Sequence, residues 1–185
     1  QVQCVFQDSR GFLWIGTKQG VSKFNGESFE NFGRSDGLAG LHISDIIEDN
    51  DGNIWFASRH GLTKFDGVSM IPFQYDLVWN SSITCDNQGN IWVGTNGYGL
   101  FVYDRKTQKI KNYRNDINDS TTISNNKIWK IFEDSGGRIW LGTDKGLIQA
   151  IGEQPVSELR FSRFALPGKA DPNIWSINED NYGNL

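Results

Sequence analysis

Asp8-Ser9-Arg10-Gly11-Phe12-Leu13-Trp14-Ile15-Gly16-Thr17, followed by Gly20-Val21, decides the fold because the chain repeats it. The phrase returns as Asp49-Asn50-Asp51-Gly52-Asn53-Ile54-Trp55-Phe56-Ala57-Ser58 and as Asp86-Asn87-Gln88-Gly89-Asn90-Ile91-Trp92-Val93-Gly94-Thr95. A further copy runs Asp134-Ser135-Gly136-Gly137-Arg138-Ile139-Trp140-Leu141-Gly142-Thr143, and a fifth begins at Asp180-Asn181-Tyr182-Gly183-Asn184-Leu185. From Trp14 to Trp55, Trp92 and Trp140 the steps are 41, 37 and 48 residues. A period of roughly 40–50 residues built from short strand-like runs points to propeller blades.

One repeat reads as four strands. In the second, Ile43 to Asp49 is strand one and Ile54 to Ser58 strand two. Gly61 to Phe65 is strand three and Ser69 to Phe73 strand four, where Pro72 fits only an outer edge. The Asp of the phrase can accept bonds from backbone N–H groups two residues on, and the Gly three residues after it permits positive φ. Each Trp is expected to be an apolar plate pressed against the neighbouring blade. The fold class expected is all-β: a propeller fragment of about four four-stranded antiparallel blades plus the start of a fifth. The approximate repeats are 1–41, 42–79, 80–126, 127–172 and a truncated 173–185, the last opening with a strand at Asn173 to Asp180. First strands are expected innermost and fourth strands outermost.

Composition agrees with short strands and tight turns: 13% aromatics, with 21 Gly and only 4 Pro among 185 residues. The net charge of −4 and the lack of a Lys/Arg run argue against a nucleic-acid partner. No stretch of 18 apolar residues and no signal peptide is present, so the segment itself is expected to make no membrane contact. The sequence starts and stops within a repeat and reads as an excised piece. Cys4 and Cys85 occupy non-equivalent repeat positions and are expected to be buried free thiols, not a disulfide.

The repeated pattern Asp-x-x-Gly-x-(Ile/Leu)-Trp-x-Gly-Thr-x-x-Gly-(Leu/Val) resembles the two-component regulator propeller repeat, over nearly the whole chain. The resemblance implies an extracytoplasmic sensor region of a hybrid two-component regulator, hence a periplasmic segment of a sensor histidine kinase. It also implies oligosaccharide-type signals. The chain departs from the family in lacking kinase and receiver motifs. Ala57-Ser58 also replaces Gly-Thr, and Asn96-Gly97-Tyr98-Gly99 carries an inserted residue.

No catalytic residue, metal ligand or cofactor is expected. Asp49, Asp51 and Asn53 have the alternate spacing of a calcium loop, but turn chemistry accounts for them and the distant Glu is missing. His42 and His60 sit in different loop types and are read as solvated loop residues. Glu48–Asp49 and Glu133–Asp134 are adjacent on strands, so each pair points to opposite faces. A second resemblance, to streptogramin-lyase-like propellers, keeps a lyase as the alternative. A protein-interaction propeller is another.

Binding is expected on the rim that carries the variable loops and the two-to-three turns with Lys18, Arg59, His60, Tyr98, Asp144 and Lys145. Five residues before each turn Asp stand Gln3, Ser44, Ser81, Trp129 and Trp175, the least uniform position of strand one. The candidate ligand-binding residues are Trp129, Trp175, Lys130, Asp45, Arg59 and Tyr98. The two indoles would stack on apolar sugar faces, or else simply pack under neighbouring loops. Expected partners are a small-molecule or oligosaccharide ligand, the rest of the parent propeller, and a second copy of the fragment.

Overall fold

The computed structural model describes residues 1–74, 80–152, 156–164, 166, 168 and 172–185, with only the backbone of 74, 80, 81 and 157. Four antiparallel sheets of four strands each follow chain order. The first holds β1 (Val2–Gln7), β2 (Leu13–Thr17), β3 (Gly20–Phe24) and β4 (Phe29–Phe32). The second holds β5 (Ile43–Glu48), β6 (Ile54–Ser58), β7 (Gly61–Phe65) and β8 (Met70–Gln74). The third holds β9 (Asn80–Cys85), β10 (Ile91–Thr95), β11 (Leu100–Asp104) and β12 (Lys109–Tyr113). The fourth holds β13 (Ile128–Glu133), β14 (Ile139–Thr143), β15 (Gly146–Ile151) and β16 (Arg160–Phe164). The chain forms two compact units, Gln1–Cys85 and Asp86–Leu185.

Within the first unit the first strands of successive repeats lie against one another, β1 with β5 and β5 with β9, whereas β4 is largely exposed. Pro72 lies on the edge strand β8, opposite Thr63, where its missing N–H costs no ladder bond. In the second unit β13 is half-buried to buried, and β16 is mostly exposed. First strands are therefore inner and fourth strands outer.

The core lies between sheets. Trp14 is fully buried among Ile43, Ile46, Phe56 and Phe65 of the next repeat, its ring 5.4 Å from that of Phe56 and 5.5 Å from that of Phe65. In the second unit Trp92 packs with Ile128, Ile131, Leu141 and Ile148, and Trp140 with Ile177. The Gly of Gly-Thr makes this approach possible. A Cβ on Gly94 would stand 2.8 Å from Ile128 Cγ2, and one on Gly142 2.8 Å from Ile174 Cγ2. The Ser of Ala57-Ser58 keeps the hydroxyl function of the Thr: Ser58 Oγ donates to the Gly61 carbonyl at 2.9 Å, as Thr143 Oγ1 does to Gly146.

The indole is not only an apolar plate. Each repeat's turn Asp accepts the N–H of the Trp six residues on, at 2.8 Å for Asp8–Trp14, 2.7 Å for Asp49–Trp55, 2.8 Å for Asp86–Trp92 and 2.7 Å for Asp134–Trp140. The other carboxylate oxygen closes the turn on the backbone N–H groups two and four residues on, as Asp86 does for Gln88 (3.0 Å) and Asn90 (2.8 Å). One side chain thus ties the turn to the inter-sheet core. In the loop with calcium-like spacing, read as turn chemistry, Asp49 spends both oxygens on such donors.

The Glu before the turn Asp does something different. Glu48 accepts the backbone N–H (2.7 Å) and hydroxyl (2.6 Å) of Ser9 in the preceding turn. Glu179 grips Ser135 in the same way (2.7 and 2.8 Å), and Glu133 accepts the Asn87 N–H (3.1 Å). The adjacent carboxylates do point apart: Asp inward to its own turn, Glu across to its neighbour. Glu48→Ala is expected to lose about 1 kcal/mol, the value of charge-assisted bonds discounted for solvent exposure. Urea unfolding checks it; an unchanged midpoint would count against the clasp.

Burial pushes the Glu133 carboxyl up, with the Asn87 N–H offsetting and the charges of Asp86 and Asp134 adding. A raised carboxyl favours the folded state while protonated, so this contribution is present at acid pH. It is lost as the pH climbs past the ordinary value of 4.5 and through the raised one. Glu133→Gln is expected to remove that slope from the pH profile of the unfolding midpoint.

Three sequence expectations are corrected. Cys4 and Cys85 are free but half-buried; burial, then the nearby Asp45 charge, pushes the Cys4 thiol up to about 11, with a Gly16 backbone hydrogen bond opposing. His42 and His60 are half-buried, not fully solvated, with Nδ1 of each shielded from water. Residues 172–180 form no β-ladder. Ile174 instead donates its N–H to the Thr143 carbonyl (2.9 Å), and Gly146 donates to that of Pro172 (2.9 Å).

Candidate functional site

The first strands are not regular. The β1–β2 register slips between Val2 and Cys4, β5–β6 between Ile43 and Asp45, and β13–β14 between Ile128 and Lys130. The extra residue in each case is the one five before the turn Asp: Gln3, Ser44 and Trp129. A bulge adds one residue to the strand's alternation, so that residues three apart face the same way, and it re-aims the inserted one. Hence Ile43 and Ile46, and Ile128 and Ile131, are all buried although three residues apart, and the intervening residue is free to vary. Ser44 turns its hydroxyl to the Ala57 carbonyl (3.2 Å). The side chain of Ser81 lies outside the described residues.

Trp129 is therefore re-aimed by a bulge. Its indole N–H donates to Asp144 Oδ1 at 2.6 Å, in the turn between β14 and β15. Within this unit it is the rim opposite the turns where Trp92 and Trp140 find their Asp partners. Lys127 reaches the other oxygen of Asp144, Nζ to Oδ2, at 3.4 Å. Trp175 lies against Trp129, ring centroids 4.4 Å apart and planes 30° apart, and is 61% exposed. A near-parallel aromatic pair is favourable in itself, and the exposed indole leaves an apolar plate facing solvent.

Tyr98 joins this edge through the backbone. Asn96 pairs with Lys127, and the N–H groups of Gly97 and Gly99 both donate to the Asn126 carbonyl (3.0 and 2.9 Å). The inserted residue of the third repeat thus builds a loop that docks on the segment leading into β13, with the Tyr98 ring 41% exposed. Lys130 follows the bulge on β13 and is half-buried. The structure consequently gathers Trp129, Trp175 and the Tyr98 loop, and adds Lys127 and Asp144. The loop position of Asp144 is readable in the sequence; Lys127 carries no signal of its own.

Asp45 and Arg59 belong to the first unit. Asp45 also follows a bulge, but its carboxylate accepts the Ile46 N–H (3.0 Å) and the Ile83 N–H (3.4 Å), a link between inner strands. Arg59 lies in the β6–β7 turn and is half-buried. His42 and His60 are in this unit as well, and among the described residues no group of three His, Cys, Asp or Glu gathers as a metal site.

Four antiparallel four-stranded sheets with inner first strands define a β-propeller segment. The chain belongs to the two-component regulator propeller family, whose repeat matches residues 1–19, 37–60, 74–97 and 122–145. Over 80 residues it is 30% identical to histidine kinase P4 of Formosa agariphila, which is 43% of this chain and 6% of that protein. In structure, 99% of the chain superposes on 26% of the extracellular domain of a protein described as a hybrid two-component system of B. thetaiotaomicron. The TM-score is 0.72 and the identity 24%. Virginiamycin B lyase of Staphylococcus aureus matches 90% of the chain over 56% of its own length, at a TM-score of 0.66 and 13% identity. The structural likenesses speak for the fold alone, and the chain spans a minor part of the histidine kinase and of the extracellular domain.

Proposed function

We propose that this chain is a non-catalytic, extracytoplasmic ligand-sensing segment of a hybrid two-component sensor histidine kinase, periplasmic in location and responsive to oligosaccharide-type signals. The observation that carries the reading is the Trp129–Trp175 pair, in contact with ring centroids 4.4 Å apart and Trp175 largely exposed on a loop-bearing rim. Sugar rings present apolar C–H faces that stack on an indole, while their hydroxyls meet neighbouring polar groups such as Asp144, Lys127 and Lys130. The family membership and the extracellular domain that the chain resembles support a sensing role.

The test is isothermal calorimetry of the 185-residue chain against a panel of neutral and acidic oligosaccharides, repeated with Trp175→Ala. Binding of at least one member is expected, weakened about tenfold in the variant, the equivalent of about 1.4 kcal/mol of lost stacking. Binding unaffected by the substitution would remove the aromatic pair from the site, and turnover of a bound sugar would overturn the non-catalytic reading.

Self-association is part of the same proposal. Val2 and Val5 are 57% and 60% exposed, yet hold the positions that Ile43 and Ile46 fill in the buried inter-sheet core. Sedimentation at micromolar concentration is expected to show a dimer or larger species; a stable monomer would contradict this.

A further inference from the structure

We infer that Asp144 is a positioning residue for the rim site, fixing the aromatic pair with one carboxylate oxygen and the Tyr98 loop, through Lys127, with the other. The inference rests on the proposed ligand-sensing reading for its functional meaning, but not for its test.

Trp129 differs from the four indoles of the repeated turns. Trp14, Trp55, Trp92 and Trp140 each bond an Asp six residues earlier in the same turn, a tie set by local geometry. Trp129 bonds an Asp fifteen residues later, in a different turn. The bulge at the start of β13 releases its side chain from the strand's alternation, and this bond then orients the ring. At 2.6 Å with a carboxylate acceptor it is a charge-assisted bond, directional as well as attractive. Because Trp175 lies on the Trp129 ring, the orientation of one plate sets that of the other.

The second oxygen extends the arrangement. Lys127 is held by Asp144 at 3.4 Å, and the backbone of Lys127 pairs with Asn96 at the base of the Tyr98 loop. A single carboxylate thereby links elements of two successive repeats around the exposed ring of Trp175. A ligand that moved the indole pair would act on the neighbouring loop through this residue, which is the connection a sensor needs. Two discrete partners on one carboxylate also separate experimentally: an amide keeps one acceptor oxygen for the indole while giving up the charge that holds Lys127.

Two indoles this close and nearly parallel couple their ultraviolet transitions and give a paired positive and negative circular-dichroism band. Trp175→Phe is expected to abolish that band and so to identify it. Asp144→Ala is expected to lose most of it without a shift in the thermal midpoint, whereas Asp144→Asn restores it. Lys127→Ala is expected to keep the band and to speed amide hydrogen exchange at Tyr98. A wild-type band in Asp144→Ala, or no change in the band with Trp175→Phe, would overturn the inference. Failure of every oligosaccharide to bind would instead sink the ligand reading and leave these spectra as they are.

Discussion

Trp92→Ala is expected to lower the unfolding free energy by about 3–5 kcal/mol, the range for truncating a large buried aromatic. Trp92 is 2% exposed and sits in the cluster with Ile128, Ile131, Leu141 and Ile148, so its removal opens a cavity between two sheets. The Gly94–Ile128 contact already brings the backbones as close as they can come, which limits collapse around the void. The loss is compounded at Asp86, whose Oδ2 would forfeit its 2.8 Å indole donor. Chemical unfolding of the variant against the parent chain measures this, and an unchanged midpoint would contradict the inter-sheet role.

Asp86→Ala is expected to cost nearly as much, about 3 kcal/mol, although it removes far less volume. Its carboxylate is 5% exposed and receives the Gln88 and Asn90 N–H groups, the Asn90 amide (2.9 Å) and the Trp92 indole. Alanine leaves these donors without their acceptor, and each buried unsatisfied donor costs about 1–3 kcal/mol. Asp86→Asn is expected to recover only part, because its NH₂ group would face N–H donors on one side. The double variant Asp86→Ala/Trp92→Ala is expected to fall short of the sum, since the two side chains share one bond and one turn.

The same hubs set an acid limit. Burial pushes the Asp134 carboxyl up, but N–H donation from the Trp140 indole and the Arg138 backbone and side chain outweighs it and holds the group below the usual carboxylate range. Asp49 is held low in the same way by Trp55, Asn53 and Asp51 against burial. A depressed carboxyl stabilises the fold above its unfolded pKa, and that contribution is lost as the pH falls through the folded one. The unfolding midpoint is therefore expected to drop below about pH 4, and Asp134→Asn to shallow that drop.

Much of this was legible from residues alone, for a physical reason: a unit that cannot bury its own apolar face must repeat, and repetition exposes which positions are fixed. The turn Asp, the Gly of positive φ (Gly89 at 85°, Gly137 at 76°) and the buried Trp follow from their recurrence. The bond from Asp to indole was less visible, because Trp at a fixed distance from Asp reads equally well as packing. The bulge did leave a trace. Ile43/Ile46, Ile128/Ile131 and Ile174/Ile177 are spaced by three, which no regular strand can place on one face.

The rim site was only half readable. Variable residues at one strand position mark Trp129 and Trp175, and the structure sets their rings in contact. Asp45 lies in the first unit and accepts two backbone N–H groups. Lys127 and the Asp144 bond depended on a register slip that places residues fifteen apart side by side, and spacing does not encode that. The strand expected at Asn173 to Asp180 reflects the opposite error, since a strand-like sequence forms a ladder only with a partner to pair with.

The described indoles fall into a buried set tied to turn carboxylates and the rim pair proposed to meet ligand, and one spectrum can read both. A nitrogen-15 correlation spectrum of the full 185-residue chain, titrated with the oligosaccharide panel, reports each indole N–H separately. The resonances of Trp129 and Trp175 are predicted to shift with a bound sugar, while those of Trp14, Trp55, Trp92 and Trp140 stay fixed on their turn carboxylates. Shifts confined to the four core indoles, or no shift at Trp129 and Trp175 with any sugar in the panel, would contradict it.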